Sequence, residues 1–477
     1  MTQSRKVCSL LAAIAASWSF AQAQDQRPLA LTNARILTMG DAGVIERGTI
    51  LVRDGKIEAV GADVKTPLGA RVIDVKGGTV MPGYVHAWST AGLGSARPMP
   101  MPMPQQGRRG GRGRGGAGEA PPAAQSGGNQ AASRVADGLY AKQDVFAELL
   151  REGVTGLFLH PAGTGFPGRA ARLEPDGKSP EDLVANPEAY NVLMPATNTG
   201  GKKLVADEFA KAKKVVEERK KPKEEPKPAE PAKPAGGEAK PADAKPPADG
   251  SKPADPPKDP PKPEGEKPAA ETKPGPAQPT PPKPPEPKKD PNVEVLADLL
   301  EGKGRCFLRL STAMEVQHWL DANKDLKLET VVVADSIVPT RGRLDEGVDH
   351  LKKVTKAVLV PPSLAEIPFT RTLVNTPKLL LDAGLEVGFV LPDDPARLRD
   401  LPFALMELVR AGFPADAALR GVTAVPAKLL GVDQEMGSIA KGRRADLLVF
   451  SGDPLDPSSV MQHVLIRGQE VVKEATR

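Results

Sequence analysis

Two of the five histidines in this 477-residue chain close short apolar runs. These are Met81-Pro82-Gly83-Tyr84-Val85-His86 and Thr155-Gly156-Leu157-Phe158-Leu159-His160. Side chains at the C-terminal ends of parallel strands lie on the functional face of a barrel. With Asp393, in Pro392-Asp393-Asp394-Pro395, they make up three groups of the types that ligate a divalent metal. Their chemistry would be activation of a water by the bound metal. The competing reading of Asp393 is a turn or helix-cap residue. His318, His350 and His463 fall within or beside predicted helices or in a C-terminal strand, and read as surface or packing residues. The Gly163–Gly168 loop could cradle an anion. The sequence has no Gly-Lys-Ser/Thr phosphate loop and no Gly-x-Ser-x-Gly elbow.

The elements that must position these groups alternate. Apolar strands are predicted at Thr155–Leu159, Phe307–Leu310, Thr330–Val333, Ala357–Val360 and Glu386–Leu391. Helices are predicted at Val135–Arg151, Phe209–Lys220, Val295–Leu300, Ala313–Ala322, Leu401–Ala411 and Pro414–Leu430. Such alternation argues for βα units around a sheet buried on both faces, and a closed barrel suits this length. The chain ends read differently. Ile50–Arg53 and Lys56–Val60 flank Asp54-Gly55, a two-residue hairpin turn. Asn33–Leu37, Arg71–Val75, Ala445–Phe450 and His463–Gly468 read as further strands.

Three segments stand outside any packed body. Residues 1–23 have the pattern of a signal peptide, with Arg5 and Lys6 ahead of an apolar run and Ala21-Gln22-Ala23 as a cleavage site. Export to the periplasm or beyond is the expectation, with no transmembrane segment left after cleavage. Cys306 is then the one remaining cysteine, so no intrachain disulfide can form. Residues 94–130 hold a Met-Pro run and an Arg-Gly run, and 222–291 hold 24 of the 51 prolines. Neither has enough apolar surface to offset ordering entropy, so both are expected to be disordered inserts. The net charge is +5, much of it in Arg108, Arg109, Arg112 and Arg114. The rest of the chain is near neutral, which excludes a nucleic-acid footprint. For an exported chain an anionic envelope polymer is a possible partner of residues 107–116.

The residues Pro82-Gly83-Tyr84-Val85-His86-Ala87-Trp88-Ser89-Thr90 resemble the Pro-Gly-led first-strand signature of the amidohydrolase superfamily. The closing stretch resembles the same superfamily over most positions. It runs Thr423-Ala424-Val425-Pro426-Ala427-Lys428-Leu429-Leu430-Gly431, then Gly437-Ser438-Ile439 to Ala445-Asp446-Leu447-Leu448-Val449, then Gly452-Asp453-Pro454-Leu455. Gly153-Val154-Thr155-Gly156 is similar to the family's lead into its second strand. The chain thus looks like an imidazolonepropionase-like amidohydrolase. The resemblance implies a (β/α)8 TIM-like barrel from 81–221 plus 292–430, and a small β-domain from both chain ends, 24–80 plus 431–477.

The resemblance also implies where a metal would sit. Trp88 and Thr90 stand at the family's two zinc-binding histidines, His86 at the preceding aspartate, and Arg309 at a third histidine position. Ala334 or Asp335 falls at a fourth, Arg172 aligns near a lysine position, and Asp393 keeps the final acid. An indole and a hydroxyl cannot replace two imidazoles on zinc, and a guanidinium is no neutral ligand. No cofactor is therefore expected, or Zn if the protein is active. Trp88 and Arg309 are expected to stack as a cation–π pair, with Arg309 lending its charge to Asp393. Three functions follow. The first is a catalytically degenerate member whose barrel pocket binds a small molecule or serves structure. The second is an atypical metal-dependent hydrolase of C–N bonds built on His86, His160 and Asp393. The third is an envelope scaffold or spacer.

Overall fold

The computed structural model describes residues 27–93, 128–220 (apart from 178 and 196–198), 289–335 (apart from 325 and 327) and 343–471. The predicted signal peptide and most of both predicted inserts, including 107–116, lie outside the described residues. The strands begin with β1 (Leu29–Leu37), β2 (Val44–Arg53), β3 (Lys56–Gly61), β4 (Arg71–Asp74) and β5 (Thr79–Pro82). Next come β6 (Tyr84–Ser89), β7 (Val154–Leu159), β8 (Gly165–Leu173), β9 (Val184–Met194), β10 (Cys306–Arg309), β11 (Thr330–Val333) and β12 (Ala357–Val360). A small hairpin, β13 (Ala365–Glu366) and β14 (Leu373–Val374), precedes β15 (Glu386–Phe389). The chain closes with β16 (Leu447–Phe450), β17 (Met461–Ile466) and β18 (Gln469–Val471).

Two eight-stranded sheets result. In the first, both chain ends interleave: β16 lies antiparallel to β5, with Phe450 opposite Thr79, and β5 runs parallel to β1. The predicted Asp54-Gly55 turn is present. Both residues take positive φ, 50° and 75°, as a tight β2–β3 hairpin requires. The second sheet, in the order β15-β12-β11-β10-β9-β8-β7-β6, is the TIM-like barrel. Its side chains alternate between two buried clusters. Phe307, Val333 and Leu359 join the interior cluster, and their neighbours Leu308, Val332 and Val358 join the helix-facing one.

The barrel departs from the regular (β/α)8 pattern in two places. β8 runs antiparallel to both β7 and β9, so one strand of the eight is reversed. The predicted Gly-rich loop at 163–168 is largely the start of this strand. The seam between β15 and β6 carries no strand ladder. There the Val85 amide donates to the Val422 carbonyl at 2.9 Å. That contact splits the predicted Pro414–Leu430 helix in two.

The helices are α1 (Asp144–Arg151), α2 (Pro180–Leu183), α3 (Thr199–Lys220), α4 (Pro291–Leu300), α5 (Ala313–Asn323) and α6 (Val348–Val354). They continue with α7 (Thr376–Asp382), α8 (Pro395–Arg399), α9 (Leu401–Arg410), α10 (Ala415–Gly421) and α11 (Ala424–Leu430). The predicted helix from Val135 resolves into a short 3-10 turn and α1. Between them, Gln143 Nε2 donates to the carbonyls of Gly92 and Tyr140. α5 begins in a capping box, in which Thr312 and Glu315 satisfy each other's amides. Gly156 admits Met436 to the interior cluster, because a Cβ there would lie 2.8 Å from the Met436 sulfur.

Buried charges tie the sheets together. Arg172 on β8 pairs with Glu174 at 3.2 Å and with Glu435 at 2.8 Å. Glu174 also meets Arg444 at 2.7 Å and Arg467 at 3.3 Å, and Arg444 pairs with Asp446 at 3.0 Å. Burial raises the Asp446 pKa, against the pull of Arg444 and of the Arg467 amide. Removing one partner from such a set strands the others without compensation. Arg444→Met is expected to cost roughly 3–5 kcal/mol, read as a lower urea midpoint at unchanged slope.

Residues on both sides of 221–288 belong to one unit. Asp290 caps α4 by accepting from the Asn292 amide, so Pro291 opens that helix rather than ending the insert. Near the end of α3, Arg219 pairs with Asp298 at 2.7 Å, with Glu301 at 2.9 Å and with Glu294, so α3 and α4 lie side by side. Replacing 222–288 with a ten-residue Gly/Ser link should remove about 1.7 kcal/mol of closure entropy. The melting temperature is expected to stay level or rise by a few degrees, and loss of the cooperative transition would refute this.

Candidate functional site at the barrel mouth

β6 delivers its last residues to the mouth irregularly. Its register against β7 slips between His86 and Ser89. Across the open seam, the chain leaving β15 turns into α8. Asp394 caps α8 by accepting from the Ala396 amide at 2.9 Å. The capping role thus belongs to Asp394, and Asp393 is left for the seam.

Asp393 accepts four hydrogen bonds, all from β6 and the residue after it. His86 Nε2 lies 3.0 Å from Oδ1 and Ser89 Oγ donates to Oδ1 at 2.5 Å. The Thr90 amide and hydroxyl donate to Oδ2 at 2.9 and 2.7 Å. A carboxylate accepts only, so Nε2 carries the His86 proton. His86 Nδ1 is buried without a hydrogen-bond partner. Burial alone would raise the Asp393 pKa, but His86, Ser89 and Thr90 together pull it well below the usual carboxylate range.

Trp88 fills the mouth beside this carboxylate. Its ring stacks on His160 with centroids 3.9 Å apart and planes 20° apart. Tyr190 and Phe307, stacked on each other at 4.1 Å, lie beyond it at 6.4 and 6.5 Å. Tyr190 donates its hydroxyl to the Ala87 carbonyl at 2.7 Å, which fixes the strand that carries Trp88. Burial lowers the His160 pKa to about 4, so its imidazole is neutral at pH 7. His160 Nδ1 lies 3.0 Å from the Pro161 carbonyl, which can only accept, so Nε2 holds the lone pair.

Arg309 does not do what its position suggests. Its Nε donates to both oxygens of Asp335, at 2.9 and 2.7 Å, and Trp88 Nε1 reaches Asp335 Oδ2 at 3.4 Å. The partner of Arg309 is therefore Asp335, at the end of the adjoining strand, rather than Asp393. The stacking partner of the Trp88 indole is His160 rather than Arg309. Arg172 lies in the buried charge network, outside this group. His463 Nδ1 meets Glu470 at 2.6 Å in the first sheet, while His318 and His350 lie on α5 and α6. Ser89 and Tyr190 are parts of the site that the sequence reading missed. Ser89 stood within the first-strand motif, whereas β9, which carries Tyr190, gave no clear signal.

The geometry brings His86, Trp88, His160, Arg309 and Asp393 to one mouth, yet the donors do not fit a zinc ion. Zinc needs several lone pairs converging on one point. Here the His86 Nε2 proton faces Asp393, the Asp393 lone pairs are taken by four donors, and His160 lies flat against an indole. Among the described residues no three His, Cys, Asp or Glu side chains are spaced to hold a metal.

Residues 375–471 match the Amidohydrolase family. A 5'-deoxyadenosine deaminase from Methanosarcina mazei is 44% identical over 64 residues, 13% of this chain and 15% of that relative. Amidohydrolase tasK from Hapsidospora irregularis is 33% identical over 98 residues, 20% of this chain and 10% of that relative. These matches thus span only a small part of either relative's length. The crystal structure of an amidohydrolase from Thermotoga maritima MSB8 shares the fold, with a TM-score of 0.64 at 19% identity, over 93% of this chain and 100% of that one. Residues 375–471 thus match the Amidohydrolase family, and the chain as a whole has the fold of the Thermotoga maritima protein.

Proposed function

We propose that this protein is an exported, catalytically degenerate member of the amidohydrolase superfamily that acts by binding rather than by zinc-assisted hydrolysis. The observation that carries the reading is the closure of Asp393 by His86, Ser89 and Thr90. A carboxylate whose acceptor sites are all taken is neither a free metal ligand nor a free base. The Trp88–His160 stack adds a second obstacle where an activated water would have to stand. Export rests on the charged, apolar and small-residue pattern of residues 1–23. A spacer role for 222–291 is disfavoured because that segment leaves and rejoins one unit.

Metal analysis of the purified mature protein is expected to give far less than one equivalent of zinc. One tightly held equivalent, lost in His86→Ala/His160→Ala, would restore the reading of an atypical C–N hydrolase.

The lowered Asp393 pKa makes a second prediction. Its contribution is fully present above the unfolded carboxylate value of about 4, and is lost as pH falls through the depressed folded value. Asp393→Asn should cost about 2 kcal/mol at pH 7, trimmed by solvent at the open third of the side chain. Urea melts should show that difference shrinking toward acid pH. A gap that is constant with pH would remove the carboxylate from the seam.

A further inference from the structure

Among the described residues the mouth sets one permanent cation, Arg309, against two carboxylates, Asp335 and Asp393. The Arg309 charge is matched by Asp335 through two short contacts, and among the described residues Asp393 is met by the His86 ring and by hydroxyl and amide donors rather than by a guanidinium or ammonium group. Both carboxylates remain reachable, with 25% and 35% of their side-chain surface exposed. Among the described residues Asp335 Oδ1 takes only the Arg309 Nε bond, so it keeps an acceptor site. His160 Nε2 is a lone pair on a side chain 94% buried beneath the rim, since the residue is only 6% exposed. The Trp88 indole holds both acceptors in place, stacking on His160 and donating to Asp335. The fields of Asp335 and Asp393 both favour positive charge at His160, and burial, helped by the nearby His86, keeps its ring neutral.

We propose that the mouth binds a small organic cation, a protonated amine that donates to Asp335 Oδ1 and His160 Nε2 while Asp393 balances its charge. This rests on the reading above, in which the mouth binds without hydrolysis, and adds the chemical class of the ligand. A metal ion would need the lone pairs that Asp393 has already committed. An ammonium group needs only two acceptors and a negative field. A carboxylate ligand would find Arg309 already matched and would face the charge of Asp393.

Calorimetric titration with benzylammonium, benzyl alcohol and benzoate, three probes of one shape and different charge, tests the proposal. Benzylammonium is expected to bind at least tenfold more tightly than the other two, and more weakly as salt rises. Asp335→Asn should weaken it at least fivefold, and His160→Phe, which keeps the stack but loses the acceptor, by a similar factor. Should Asp335→Asn fail to fold, His160→Phe and the salt series carry the test. Equal binding of the three probes, preference for benzoate, no binding of any probe, or full affinity in the folded variants would overturn the proposal. Zinc content is measured independently, so a failed titration with no zinc would remove the amine while leaving the non-hydrolytic reading intact.

Discussion

A barrel whose first and last strands share no ladder needs another closure, and here one carboxylate supplies much of it. Asp393 takes donors from a ring nitrogen, two hydroxyls and an amide, all between His86 and Thr90. The arrangement holds because charged acceptors make shorter and stronger hydrogen bonds than neutral ones. It also dictates its surroundings. With His86 and Thr90 committed to the seam, Trp88 is the side chain left to fill the mouth, and His160 must lie flat against it.

Architecture and mouth therefore answer to different demands. The shared fold persists in the interleaved first sheet, the interior cluster and the buried charges around Glu174. None of these depends on a metal. At the mouth, side chains pair with one another: indole on imidazole, guanidinium on carboxylate, hydroxyls on carboxylate.

Much of this was legible in the sequence. β11 and β12 were readable to the residue, because Thr330–Val333 and Ala357–Val360 are dense β-branched or apolar runs between polar flanks. The gathering of His86, Trp88, His160, Arg309 and Asp393 followed from their places at strand ends. β8 and β9 were not legible. Gly165–Leu173 is rich in Gly, Ala and Arg, and Asn186-Pro187-Glu188 interrupts the start of β9, so neither has a clean period. The partners within the mouth were hidden for another reason. That Arg309 turns to Asp335 is set by its rotamer and by the end of the adjoining strand, and residue type does not encode it.

The pairing of β5 with β16 sets a condition on how the molecule comes into being. β5 leads directly into the first barrel strand, yet its antiparallel neighbour lies near the end of the chain. Pairings so distant in sequence must close a large loop before they repay it, and they form slowly. A ribosome delivering this chain from its N-terminus releases most of the barrel before β16 exists. Until then Met81 and Val80, both fully buried in the finished fold, have no partner strand on that side. The nascent molecule therefore carries an exposed apolar strand edge for most of its synthesis. That edge is the feature a holding chaperone would recognise, and it disappears only once β16 has been made.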